Sequence, residues 1–312
     1  MFSLLPIIIS ILVLAEFVLG NFANAFITLV ICTDWVKRRK LSLVDWILVA
    51  LAVSRIALLW VILIYWNATI VNPTSYNLSV IHTVTVAWAV TNHFSVWLAT
   101  SLSIFYLLKI ANFSNLIFLH LKRNADKVIL FVLPGSFVVF FCYLSVKNME
   151  WIVRMSENEG NVTWKTDLLS ILHISDLSLL TITNLIPFTT SLICFLLLIY
   201  SLCKHLRKMQ LHGRRLQDPS TKVHVKALQT VISFLLLFVI YFLSVIISVW
   251  SYKRQKNVPV FSLGQAIELI YPLSHSVVLI FGNRKLKEAF LLLVWHVRHW
   301  LIKTFSSVSI RK

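Results

Sequence analysis

At 312 residues, 58% hydrophobic and only 13% charged, the chain lacks the polar surface that a soluble domain of this size requires. Its mean hydropathy of +0.83 places it among membrane proteins. The formal charge of +17 does not mark a nucleic-acid binder, because the basic residues sit in short runs beside apolar stretches and no nucleic-acid-reading motif accompanies them.

A membrane helix needs about 20 predominantly apolar residues. Seven stretches qualify, at roughly 5–33, 42–66, 81–110, 127–147, 179–203, 227–250 and 261–282. The expected fold is therefore an all-α membrane protein, a seven-transmembrane helix bundle forming one domain over 1–312 with a tail over 283–312. The first stretch carries a small-x-small site at Ala23-Asn24-Ala25 but no basic leader, and it is too long for a signal peptide. Cys32, Cys142, Cys194 and Cys203 all fall inside spans or at their basic ends, which leaves no external disulfide framework and reads as packing. No Cys/His cluster has metal-ligand spacing, and no cofactor is implied.

Lys and Arg set the orientation. With the N-terminus outside, 22 of the 29 fall in the cytoplasmic loops and tail, six fall outside, and Arg55 lies within a span. The prediction is N-terminus extracellular and C-terminus cytoplasmic. In the largest outer loop, about 148–178, Asn161-Val-Thr163 is an N-glycosylation acceptor on the expected side. Asn67-Ala-Thr69 and Asn77-Leu-Ser79 lie in the first outer loop, whereas Asn112-Phe-Ser114 falls on the cytoplasmic side. Within the third inner loop, Pro219 marks a break between helices. Beyond the seventh span, Leu286, Phe290, Leu293, Val294, Val297 and Leu301 recur at helical spacing among Lys285, Lys287 and Arg298. This pattern predicts an amphipathic helix lying in membrane lipid at the interface.

Polar groups inside spans each need a partner, because an ionised side chain at the bilayer centre costs about 2.5–3.5 kcal/mol on insertion scales. Arg55 is too deep to snorkel; Asn24 and the His275-Ser276 pair lie at similar depth and offer it oxygens, as a packing clasp or as an internal relay. Glu16 and Glu268 lie nearer the outer face. Trp88 and Asn92, four residues apart, share one helix face, and Gln265 and Glu268 share another. A carboxylate beside an indole suits a basic, amphipathic ligand; an interhelical hydrogen bond is the plainer use of the same acid. Tyr241 adds a ring and a hydroxyl midway along span six, and Asn184 and Phe188 flank the expected kink at Pro187. Enzyme signatures such as HExxH, GxSxG or paired intramembrane aspartates are absent. Six glycines in the whole chain fit poorly with the broken, repeated helices of a transporter.

Taken together, a set of local motifs resembles the bitter taste receptors, the type 2 taste receptor family of G-protein-coupled receptors. They are Glu16 with Gly20-Asn21 and Asn24-Ala-Phe-Ile27; Leu41-Ser-Leu-Val-Asp45-Trp; Leu51-Ala-Val-Ser54-Arg55; Asn92-His-Phe-Ser95 with Trp97-Leu-Ala-Thr100; and Phe105-Tyr-Leu-Leu-Lys109-Ile-Ala-Asn-Phe-Ser114. Later in the chain come Ser201-Leu-Cys-Lys-His205, Asp218-Pro-Ser-Thr-Lys222, His275-Ser276 and Asn283-Arg-Lys-Leu-Lys287. The acidic-Arg-aromatic, Cys-Trp-x-Pro and Asn-Pro-x-x-Tyr signatures of rhodopsin-like receptors are missing. The resemblance implies an outer-half pocket for bitter small-molecule agonists, mapped onto Trp66, Trp88, Asn92, Asn184, Tyr241, Gln265 and Glu268, with Phe188 added from its place beside Pro187. Some relatives carry an acid where this chain has Gln265; here the acid is Glu268. It implies a population shift that opens the inner ends of spans five and six to a heterotrimeric G protein of the gustducin type, near Tyr106, Lys109, His205 and Lys208. Asn24, Arg55 and Ser276 would form the internal relay. The resemblance leaves homo- or hetero-oligomer formation open.

Overall fold

The structure is a computed structural model and describes residues 4–38, 40–68, 76–156, 162–211, 219–255 and 258–309. Within these residues the chain forms helices α1 (Leu4–Arg38), α2 (Leu43–Trp66), α3 (Leu78–Ile110), α4 (Leu116–Arg123), α5 (Ala125–Met155), α6 (Val162–Leu211), α7 (Pro219–Gln255), α8 (Val258–Gly282) and α9 (Arg284–Ser309). Seven of them, all but α4 and α9, are long and apolar enough to cross a membrane.

Helix starts follow local chemistry. Ser42 and Asp45 form a capping box at α2: the Asp45 amide donates to Ser42 Oγ at 3.1 Å and the Ser42 amide to Asp45 Oδ2 at 3.3 Å. The carbonyl oxygen of Asn77 caps α3 through the Val80 amide at 2.9 Å, and Asn115 caps α4 through Ile117 at 2.9 Å. Asn283 separates α8 from α9 and takes the Lys285 amide at 3.0 Å. Pro219 stands at the start of α7, where its missing N–H is harmless, matching the break read from the sequence.

The spans close into a ring: α1 packs on α2 and α8, α2 on α3, α6 on α7, and α7 on α8, while α3 also meets α5 and α6. Inside runs a nearly continuous apolar core of two clusters. One surrounds Leu51, Leu102, Leu198 and Leu279; the other surrounds Leu59, Trp66, Phe238 and Leu269. Outward-facing residues such as Ile11, Leu29, Phe131 and Ile193 form an apolar belt that suits lipid rather than water. Among the described glycines the tightest approach is at Gly264 on α8, where a methyl group would overlap Ser248 Cβ of α7 and lie 3.4 Å from its Cα. Only glycine fits this crossing.

Two expectations need correction. The stretch expected as an outer loop, about 148–178, is mostly helical: α5 continues to Met155, and α6 begins at Val162. Its 50 residues span roughly 75 Å at 1.5 Å per residue. Hydropathy lost this extension because Leu168, Leu169, Leu172 and Leu177 alternate with polar residues while keeping helical spacing. Charged side chains on α5 bond one another across one turn, which lets the helix project beyond an apolar layer. At the other end, the segment between the expected spans 81–110 and 127–147 is not all loop but contains the short helix α4. Asn161, the glycosylation candidate, lies outside the described residues.

α9 begins in contact with α1 and α8. Leu286 is fully buried, and Phe290 meets Phe26 edge-on at 5.7 Å. Lys285 binds Asp34 of α1 at 2.7 Å and reaches Asp45 of α2 at 3.7 Å, tying three helices together. From Leu291 to Lys303 the helix is exposed, with Leu293, Val294, Val297, Trp300 and Leu301 on its apolar side.

Candidate functional site

The end of the bundle that carries the start of α1 and the Trp88 half of α3 is called the upper end here. It opens into a cavity of about 490 Å³. Its walls come from Tyr65 of α2, Thr85 and Trp88 of α3, Tyr143, Lys147, Glu150 and Trp151 of α5, His173 and Leu180 of α6, Val249 of α7, and Phe261, Gln265 and Glu268 of α8. A cavity of this size, mostly apolar with a few convergent polar groups, suits a drug-sized organic molecule.

Of the eight expected ligand residues, Trp88, Gln265 and Glu268 line this cavity. Glu268 is 4% exposed and accepts a hydrogen bond from Ser248 Oγ at 3.0 Å, so the plainer interhelical use of the acid is made. Gln265 Oε1 is buried without a hydrogen-bond partner. Asn92 and Asn184 lie below, around a separate chamber of about 10 Å³. The Asn92 amide donates to Asn184 Oδ1 at 3.3 Å, Asn184 donates to the Leu180 carbonyl at 2.9 Å, and the Tyr241 hydroxyl donates to Asn92 Oδ1. These three residues form a hydrogen-bonded floor layer beneath the Trp88 side chain; they do not line the cavity itself, and Tyr241 lines neither space. Trp66 and Phe188 line neither space: Trp66 packs in the core with Leu58 and Ile62, and Phe188 stacks on Phe242 at 4.0 Å. Their helical positions point inward, but neighbouring side chains fill the space before them.

Sequence reasoning missed the α5–α6 wall. Lys147 Nζ lies 3.4 Å from Glu150 Oε2 and 3.3 Å from Asp176 Oδ2, and Arg154 lies 3.0 Å from Glu150 Oε1. The stack of His82 on Trp151, with centroids 4.4 Å apart, closes the wall toward α3. The spacing of Lys147, Glu150 and Arg154 at three and four residues carries the helical signal, although hydropathy alone reads that stretch as a loop.

From the floor a continuous path of rings leads down to Arg55. Tyr241 stacks on Tyr271 at 4.7 Å, and the Arg55 guanidinium sits 5.3 Å from the centre of the Tyr271 ring. Arg55 is fully buried; its Nη1 donates to Ser276 Oγ at 3.0 Å and lies 3.0 Å from His275 Nδ1. Ser276 Oγ faces Asn24 Oδ1 at 2.8 Å and the Pro272 carbonyl at 2.7 Å. The structure thus brings Asn24, Arg55 and Ser276 into one chain joining α1, α2 and α8, with His275 beside Arg55 in it.

At the lower end, Tyr106 is half-buried in α3, and the Lys109 ammonium lies 5.5 Å from the Phe105 ring. His205 and Lys208 are exposed on α6. The Asn112 amide donates to Ser201 Oγ at 3.1 Å, and Phe113 stacks on Tyr200 at 6.3 Å, joining the segment after α3 to α6. Among the described residues no group of three or more His, Cys, Asp or Glu side chains could hold a metal ion.

Comparison with known proteins agrees with this architecture. The family model described as "Taste receptor protein (TAS2R)" matches residues 1–298. The chain is 60% identical over 301 residues to taste receptor type 2 member 31 of Papio hamadryas, covering 96% of this chain and 97% of that one. It is 58% identical, with the same coverage, to taste receptor type 2 member 45 of Pan paniscus and member 46 of Homo sapiens. Seven apolar helices closed around an upper cavity, and a match along nearly the whole chain, establish this protein as a member of the type 2 taste receptor family, the bitter taste G-protein-coupled receptors.

Proposed function

We propose that the cavity of about 490 Å³ is an outer-half agonist site for bitter small molecules, and that its occupancy activates a heterotrimeric G protein of the gustducin type. The observation that carries this reading is the unbroken path beneath the cavity. Glu268 and Trp88 line the cavity, Asn92 stands one helical turn below Trp88 and bonds to Tyr241, and Tyr271 leads from there to the Arg55–Ser276–Asn24 chain. A ligand that shifts the floor changes the packing of Tyr241 on Tyr271, and with it the clasp joining three helices. Population shift needs no more than a ligand that favours one arrangement of that clasp.

In this reading the N-terminus and the upper end are extracellular, in line with the excess of Lys and Arg at the other end, and the receptor resides in the plasma membrane with a glycan on Asn161. Tyr106, Lys109, His205 and Lys208 stand near the G-protein surface, and α9 lies along membrane lipid. A single receptor domain carries all of these parts. The test is calcium release in cells co-expressing the chain with a gustducin-type chimeric G protein, across a panel of bitter compounds. Responses that vanish when the chimera is omitted support the proposal. Silence despite full surface expression counts against it.

A further inference from the structure

Beneath the agonist cavity, the chamber of about 10 Å³ shares Trp88, Tyr143 and Leu180 with it as a common partition. Three side chains lining the chamber hold buried polar atoms with no partner: His93 Nδ1, Trp97 Nε1 and Thr183 Oγ1. Buried polar groups are nearly always paired, so three around one small space need a common explanation.

Their chemistry is complementary. Ser136 donates its hydroxyl proton to the Leu133 carbonyl at 2.6 Å, so its oxygen accepts from His93 Nε2 at 3.1 Å. That assignment puts the imidazole proton on Nε2 and leaves Nδ1 as a bare acceptor. Trp97 Nε1–H is a donor only, and Thr183 can do either. Thr183 also departs from its neighbours. Thr181, Thr189 and Thr190 donate to their own helix at Leu177, Leu185 and Ile186, within 2.8–2.9 Å, as helical threonines commonly do. Pro187 further deprives the Thr183 carbonyl of its usual amide partner four residues on.

We infer that this chamber is a binding site for a single hydroxyl-type oxygen, which donates to His93, accepts from Trp97 and pairs with Thr183, bridging α3 to α6. The volume admits one water-sized group and little more. Two sources supply that chemistry: an ordered water, or the hydroxyl of an agonist reaching past Trp88 from the cavity. The agonist source rests on the proposed function of the cavity; the water source does not.

Thr183→Val keeps the shape and removes the hydroxyl, so the sign of its effect separates the cases. In purified, agonist-free receptor, a bridged Thr183 predicts a melting temperature lowered by about 2–4 °C, with water as the occupant. Trp97→Phe should shift it in the same direction, and Thr183→Ser should restore most of the loss. If Thr183→Val instead melts at or above wild type, each hydroxyl-bearing agonist of the wild-type receptor is compared with its O-methyl ether. A three- to tenfold loss of potency confined to the hydroxyl form, roughly one hydrogen bond, assigns the site to the agonist. An unchanged or raised melting temperature with no such selective loss overturns the inference. Because melting is read without agonist, its failure is distinct from failure of the receptor reading.

Discussion

Replacing Arg55 separates its role in packing from its role in signalling. The guanidinium is fully buried and makes two polar contacts at 3.0 Å, to His275 and Ser276. Contacts of a charged group are worth about 1.5–3 kcal/mol each, so removing both costs roughly 3–6 kcal/mol. Relieving a cation at membrane depth returns about 2.5–3.5 kcal/mol. Arg55→Met, which fills most of the volume, should therefore lose only about 0–3 kcal/mol. Arg55→Ala adds the cost of a cavity, about 2–5 kcal/mol more. The expected pattern is a wild-type surface level and a melting temperature lowered by no more than about 10 °C for Arg55→Met, a much lower one for Arg55→Ala, and strongly reduced calcium responses for both. Dose–response curves and detergent melting curves of the three proteins supply the test. An Arg55→Met receptor that folds and signals normally would refute the relay, and one that fails to fold would refute the energy balance.

Two further perturbations follow from the packing. Gly264→Ala should push α8 from α7 at Ser248 and disturb its bond to Glu268; a loss of about 1–3 kcal/mol is expected, and wild-type melting would show the crossing to be looser than described. Lys147→Met removes the ammonium 3.3 Å from Asp176 and 3.4 Å from Glu150. The cost should be about 2 kcal/mol in thermal unfolding, short of the ~3–5 kcal/mol of a fully buried pair because the lysine keeps some exposure; no change would remove the α5–α6 tie from the account.

Much of this architecture could be read from the chain because a bilayer permits few solutions. Seven apolar stretches had to be helices, and an arginine deep in one of them had to find oxygens in others. Asn24 and Ser276 were the oxygens at its depth; in the structure Ser276 bonds Arg55 directly and Asn24 joins through Ser276. Tyr271 was invisible as a link, since nothing in its spacing distinguishes a ring that stacks on Tyr241 from one that only packs. The same limit applies to Trp66 and Phe188, which line neither space: facing inward is a helical property, but reaching a cavity depends on what the next helix places in the way. The α5–α6 wall stayed hidden for another reason. Hydropathy ends a helix where charges begin, while Lys147, Glu150 and Arg154 pair across a turn and carry the helix onward.

The central claim is that ligands enter the upper cavity and act through its floor. The most direct measurement compares calcium responses of wild type, Trp88→Ala and Glu268→Gln at matched surface levels, using cationic and neutral agonists. The account predicts that Trp88→Ala abolishes responses to both classes, and that Glu268→Gln lowers potency for cationic agonists alone. Unaltered responses in both variants would place the agonist elsewhere and contradict it.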